Sequence, residues 1–203
     1  LSNGICSLNP NEDRLTLSCI MEIDDSGQVV NHTIEKSVIN SCARLVYDDV
    51  SDILEHDDPV QSEKHNEILT EIKMMGELAE ILRNKRKHQG SLDFDLDEAV
   101  IEVDEYENPI RIEVEERRTA NRLIEEFMLI ANETVAEHFF WMEIPFVYRI
   151  HEKPDVEKMT ELRNYLANFN IAFRGNPDNV HPKMLSTIID NLAGEPYEAI
   201  VNR

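Results

Sequence analysis

The chain has 203 residues, with 41 acidic against 20 basic side chains and a formal charge of −21. Six glycines and eight prolines are too few for a collagen-like or Gly/Pro-rich disordered chain, and 41% apolar residues are enough for a core. No apolar run approaches the ~18 residues that span a bilayer, and the acid excess repels polyanions at long range, which taken alone argues against a nucleic-acid surface.

Residues 14–24 alternate, with Leu15, Leu17, Cys19, Met21 and Ile23 on one side and Thr16 and Ser18 on the other. This period of two predicts a half-buried strand. Asp25-Ser26-Gly27 supplies a turn and Gln28 to Val38 a second β-branched run, so a hairpin is expected. Tyr47 to Leu54 predicts a short helix that Asp57-Asp58-Pro59 stops. From Ser62 to about Lys87 the period is helical, with Ile68, Ile72, Met75, Ala79 and Leu82 as the apolar stripe and Gly90 as the C-terminal stop. Asn84-Lys85-Arg86-Lys87-His88 is the one basic cluster; it complements the helix dipole, and a phosphate contact is the alternative. Ser91 to Val103 and Ile110 to Val114 predict strands around a turn at Glu105 to Asn108. Arg117 to about Trp141 predicts a second long helix, with Leu123, Phe127, Ile130, Ala131, Thr134 and Val135 on one side. Phe146 to Ile150 reads as a short strand. Further helices open at Pro154-Asp155, reaching about Phe169, at Pro182 and at Glu195. Helices do not strictly alternate with strands, so the expected class is α+β, a mixed or antiparallel sheet with several amphipathic helices.

Cys6, Cys19 and Cys42 are odd in number and form no C-x-x-C, which fits reduced thiols in the cytoplasm. No basic and apolar leader is visible, so the Asn31-His32-Thr33 and Asn132-Glu133-Thr134 sequons are chance matches. No membrane association is expected. Asp93, Asp95, Asp97 and Glu98 are the densest carboxylate cluster. Period two sets the three aspartates on one face, where a hard cation could bind. A charged outer face that blocks edge pairing is the plainer account, and Glu98 stands where a calcium-binding EF-hand loop needs glycine. Seven histidines show no metal-ligand spacing, and His151 suits a loop role. There is no G-x-S-x-G elbow, no P-loop and no G-x-G-x-x-G, so neither a complete catalytic constellation nor a nucleotide cofactor is expected. Tyr47 and Phe94 sit at element ends, where an aromatic face either stacks on a base or packs in the core.

Five segments resemble one family when taken in order: LSNGICSLNPNEDRLTLSCIMEID, VINSCARLVYDDVSDILE, GSLDFDLDEA, RRTANRLIEEFMLIANETVAEH and VYRIHEKPDVEKMTELRNYL. They resemble the central part of the catalytic (RNB) domain of the ribonuclease R group, in the bacterial ribonuclease II family of 3′-to-5′ exoribonucleases. The resemblance covers nearly the whole chain. It implies a processive hydrolase that threads single-stranded RNA to a buried Mg²⁺ site and releases 5′-mononucleotides. By motif, Tyr47 of RLVYDDV is similar to a tyrosine that lines the route of the RNA 3′ end and contacts ribose. Phe94 of SLDFDL is similar to the phenylalanine that stacks on the terminal bases. Glu126 of LIEEFM is similar to the glutamate that accepts a ribose hydroxyl, with the adjacent Glu125 as the alternative.

The family's metal-binding aspartates lie in a motif upstream of LSNGICSL, and its cleavage-assisting arginine lies in a motif downstream of Arg203. The resemblance therefore implies that residues 1–203 are an inner segment of the nuclease domain. It would supply an RNA-channel wall with stacking and hydroxyl reading but little phosphate attraction, hold no metal of its own and be inert alone, with basic residues concentrated outside it and along the channel. Asp93, Asp95 and Asp97 are not expected to replace the metal ligands. Exposed strand edges leave pairing with a second copy open. Two other readings compete: an acidic, non-catalytic module that binds a basic protein partner, and a self-sufficient hydrolase built on Asp93, Asp95 and Asp97.

Overall fold

The computed structural model describes residues 4–92, 98–192, 194–196 and 198–201. In chain order the elements are β1 (Asp13–Ile23), β2 (Val29–Asn40), α1 (Tyr47–His56), α2 (Pro59–Lys64), a 3-10 turn at Asn66–Ile68, and α3 (Leu69–Gln89). They continue with β3 (Glu98–Val103), β4 (Pro109–Glu115), α4 (Thr119–Trp141), α5 (Val156–Ala167), a 3-10 turn at Pro177–Asn179, α6 (Pro182–Leu192) and α7 (Glu198–Val201). The α+β class holds, with two separate antiparallel ribbons, β1–β2 and β3–β4. Among the described residues no helix is long and apolar enough to cross a membrane.

The chain divides into two compact units. The first comprises Leu1–Arg83 and Arg117–Tyr148, the second Asn84–Glu116 and Arg149–Arg203. In the first, Val50 and Ile53 of α1, Ile72 of α3 and Ala120 of α4 form the buried cluster, flanked by Leu54, Ile68 and Leu69. In the second, Leu166 of α5 packs on Ile188 and Leu192 of α6, with Phe173 and Met184 against them. Gly90 takes φ +95°, and a Cβ there would lie 2.5 Å from the Lys183 backbone nitrogen. Only glycine meets both demands.

The β1–β2 ribbon pairs Leu15 with Val38, Cys19 with Ile34 and Met21 with His32. Asp24 shapes the turn, its Oδ1 accepting the N–H groups of Ser26 and Gln28, and Gly27 takes φ +78°. The expected half-buried apolar face is present only near this turn. There α4 approaches, and His32 Nε2 meets His138 Nδ1 at 2.8 Å. At the open end Leu15 and Leu17 are 88% and 77% exposed, while Arg14, Thr16 and Ser18 on the other side are partly covered. The polar side is drawn in because the hydroxyls of Thr16, Ser18 and Ser37 bond one another and Arg14 Nε donates to the Ser7 carbonyl at 2.8 Å.

Four expected elements differ. The long helix from Ser62 is broken at His65, which leaves helical geometry at φ −113°, ψ 25°. That break lets Lys64 and His65 both reach the Asp49 carboxylate, at 2.6 and 3.5 Å. The strand expected from Ser91 begins at Glu98, and residues 93–97 lie outside the described ones. Phe146 to Ile150 is not a strand: among the described residues none pairs with it, and β propensity without a ladder does not make a strand. The helix expected from Glu195 begins at Glu198, while two others fall where their caps predict. Asp155 accepts from Glu157 and Lys158 at the head of α5, and Pro182 opens α6.

Candidate RNA-contacting site

Tyr47 is the first residue of α1. The placement of that helix is dictated by carboxylates spaced along one side of it. Asp48, Asp52 and Glu55 recur at helical steps, and Arg118 lies against all three just before α4. Its Nη2 donates to Asp52 Oδ1 at 2.7 Å and to Glu55 Oε2 at 2.8 Å, and its Nη1 reaches Asp48 Oδ1 at 3.5 Å. The first N–H groups of α4 have no partner within the helix. Here α1 supplies partners: Glu55 Oε1 accepts the Thr119 N–H at 2.9 Å, and the fully buried Ser51 Oγ accepts the Ala120 N–H at 3.1 Å. One helix thus caps another. The Arg118 guanidinium, joined by the Thr119 bonds, holds the Glu55 carboxyl down at a pKa of about 2. Glu55 and Asp52 in turn raise the Arg118 pKa.

Two cavities flank α4. The smaller, about 280 Å³, is apolar; Leu45, Val50, Ile72 and Leu123 line it, with Tyr47 on its wall. Tyr47 is 50% exposed, so its ring is open to a ligand rather than sealed in the core. The larger, about 530 Å³, has a mixed polar and apolar lining and lies between α1, α3 and α4. Its walls hold Lys73 and Arg83 from α3 and Arg122 and Glu126 from α4. Lys73 Nζ is tied to Asp57 Oδ1 at 2.6 Å, which lowers the Asp57 pKa. Leu123 borders both cavities.

Glu126 is 3% exposed, on the buried side of α4 with Leu123, Ile130 and Thr134. Its neighbour Glu125 is only half-buried and is engaged from outside. Arg117 Nε donates to Glu125 Oε1 at 2.9 Å, and Arg117 Nη2 meets the second oxygen, closing a bidentate fork. The structure therefore places Tyr47 and Glu126 in one unit, on adjoining cavities. Phe94 lies outside the described residues, as do Asp93, Asp95 and Asp97. Among the described residues, no three His, Cys, Asp or Glu side chains are grouped so as to hold a metal ion.

The residues that sequence reasoning missed are Arg118 and its carboxylates. The stripe of Asp48, Asp52 and Glu55 was visible in the sequence, but its partner stands 63 to 70 positions away.

The model of the RNB domain matches residues 1–203. The chain belongs to the RNB family. It is 41% identical over 202 residues to ribonuclease R 1 of Lactococcus lactis, covering 100% of this chain and 25% of that protein. It is 42% identical over 204 residues to ribonuclease R of Thermotoga maritima, covering 100% of this chain and 28% of that one. The solved structure of Mycoplasma genitalium RNase R in complex with ribose methylated single-stranded RNA superposes with a TM-score of 0.90 at 27% identity, covering 99% of this chain and 31% of that one. The RNB chain thus spans about a quarter of the length of these curated relatives. Matches to ribonucleases over its whole length lend no support to an acidic interaction module.

Proposed function

We propose that this RNB chain is an inner segment of the catalytic domain of a processive 3′-to-5′ exoribonuclease that hydrolyses single-stranded RNA to 5′-mononucleotides. Its own share is to hold the sugar and bases at the 3′ end. The observation that carries the reading is a buried carboxylate, Glu126, on the wall of a cavity of about 530 Å³, in a chain matched throughout by the RNB domain. A carboxylate there accepts the hydrogen of a ribose 2′-hydroxyl, the group that separates RNA from DNA. DNA offers no donor at this position, so the bond to Glu126 is not made. Tyr47, half exposed beside an apolar cavity, presents a face for a base or sugar. Phe94 is assigned to stacking on the terminal bases by motif alone. Glu126 is favoured over Glu125 as the ribose reader because Glu126 lines the cavity, whereas Glu125 lies outside it in a fork with Arg117.

Magnesium, which the resemblance assigns to the whole enzyme, finds no ligand set among the described residues. What these residues do is bind and orient the strand. Cytoplasmic single-stranded RNA is the substrate pool this reading implies.

A graft tests it. With this chain in place of the corresponding segment of the Lactococcus ribonuclease R 1, the hybrid should shorten single-stranded RNA stepwise from its 3′ end, and the chain alone should not cleave. A hybrid that folds and binds RNA but never shortens it would count against the reading. Cleavage by the chain alone, abolished by Asp95→Asn, would overturn the absence of a self-sufficient metal site.

A further inference from the structure

The cavity that contains Glu126 is lined by four acids, Asp57, Glu77, Glu80 and Glu126, and three bases, a closer balance than in the chain as a whole. Acids outnumber bases two to one along the chain, yet Lys73, Arg83 and Arg122 all line this one cavity. Exposure sorts its charged groups by depth. Asp57, Lys73, Glu77 and Glu80 are exposed, whereas Arg83 and Arg122 are half-buried and Glu126 is buried. The inner wall therefore carries two guanidiniums and one carboxylate, formally a positive wall inside a strongly acidic protein. Charges held away from solvent are screened least, so this inner pair counts for more towards a ligand than the rim does.

The spacing is also specific. Arg122 and Glu126 stand four residues apart on α4, so they are neighbours on one face, about 5–6 Å apart at their Cβ atoms. Along an RNA strand a ribose 2′-hydroxyl is followed directly by a phosphate. A wall that offers a carboxylate to the hydroxyl and, one helical turn away, a guanidinium to the phosphate matches one sugar–phosphate step. Guanidinium is the side chain whose planar fork fits phosphate oxygens two at a time. Arg83 faces the same space from α3.

We infer that Arg122, assisted by Arg83, holds the phosphate adjoining the ribose read by Glu126, making this cavity a ribose–phosphate subsite. The inference rests on the RNA reading above and adds its phosphate-binding residues. It also explains how a chain with charge −21 accommodates a polyanion: attraction is confined to a recess, and the acidic exterior rejects RNA elsewhere. A structural role for Arg122 and Arg83, merely neutralising Glu126, predicts a loss of stability and no change in how RNA binding responds to salt.

The test measures binding of the chain to fluorescein-labelled single-stranded RNA across a salt series. The variants are Arg122→Gln, Arg83→Gln, Arg122→Lys and, as a control for lost charge outside the cavity, Lys64→Gln. Each phosphate contact contributes about 0.7 to the slope of log K against log salt for a single strand. Arg122→Gln should flatten the slope by about 0.7 and weaken binding at low salt severalfold or more. Arg122→Lys should keep the slope and lose affinity through the lost fork, and Lys64→Gln should leave the slope unchanged. If Arg122→Gln does not fold, Arg83→Gln decides in the same way. Wild-type slopes in both glutamine variants, with preference for RNA over DNA intact, would overturn the phosphate subsite and leave the RNA reading standing. No RNA binding by the wild-type chain even at low salt would overturn both.

Discussion

Replacing Glu55 by Gln should destabilise the first unit in a way that pH reveals. In the fold this carboxylate accepts from the Arg118 guanidinium and from the Thr119 N–H, and its pKa falls from the ordinary 4.5 to about 2. A folded-state value below the unfolded one means that the fold favours the ionised form. The stabilisation is therefore complete above about pH 4.5 and drains away as the pH drops towards 2. The full gap would correspond to about 3 kcal/mol. The side chain is 26% exposed, so water screens part of the interaction and about 1–2 kcal/mol is the realistic share. Gln keeps an acceptor for the Thr119 N–H but sets an amide NH₂ against Arg118. With urea slopes of about 1–3 kcal/mol per M for small proteins, the midpoint at pH 7 should fall by roughly 0.5–1 M. Urea unfolding followed by far-ultraviolet circular dichroism, for wild type and Glu55→Gln from pH 7 to 2, measures it. The two stabilities should converge between pH 4.5 and 2. An equal midpoint at pH 7, or a constant offset down to pH 2, would refute the clamp.

Other substitutions separate packing from binding. Leu123→Ala should cost about 2–5 kcal/mol in unfolding experiments, because Leu123 is buried and borders both cavities. Gly90→Ala should cost at least about 2 kcal/mol, since φ +95° and the nearby Lys183 backbone both oppose a Cβ. Leu17→Thr should stay within about 0.5 kcal/mol of wild type despite removing an apolar residue from an apolar register, because that side chain is exposed. Tyr47→Ala should leave stability nearly unchanged while weakening RNA binding by about 1–3 kcal/mol, the worth of one stacked base.

The parts of this fold legible in the sequence are those set by neighbours in the chain. The β1–β2 hairpin, the stop at Asp57-Asp58-Pro59 and the apolar stripe of α3 through Ile72, Ala79 and Leu82 follow from period and turn chemistry, and the structure buries those three residues. What was hidden depends on partners distant in sequence. Alternation shows that Leu15 and Leu17 share a side with Cys19, but not that this side is covered only towards the turn, where His138 of α4 meets His32. The carboxylate stripe on α1 is periodic, yet nothing local says that Arg118 closes it. Glu126 lies between Leu123 and Ile130 on the buried side of α4. A hydrophobic reading assigns a charged residue there to solvent, and only the family motif marked it. Phe146 to Ile150 shows the converse: a strand-forming composition makes no strand where none of the described residues pairs with it.

The proposed hold on the RNA 3′ end turns most on what the buried carboxylate of α4 recognises. The direct measurement is the ratio of affinities for single-stranded RNA and the matching DNA, in wild type, Glu126→Gln and Glu125→Gln. A hydrogen bond to a charged acceptor is worth about 1.5–3 kcal/mol, so the wild-type chain should prefer RNA by roughly tenfold to a hundredfold. Glu126→Gln should bring the ratio close to one, and Glu125→Gln should leave it as in wild type. Equal binding of RNA and DNA by the wild-type chain, or a preference that survives Glu126→Gln, would contradict the account.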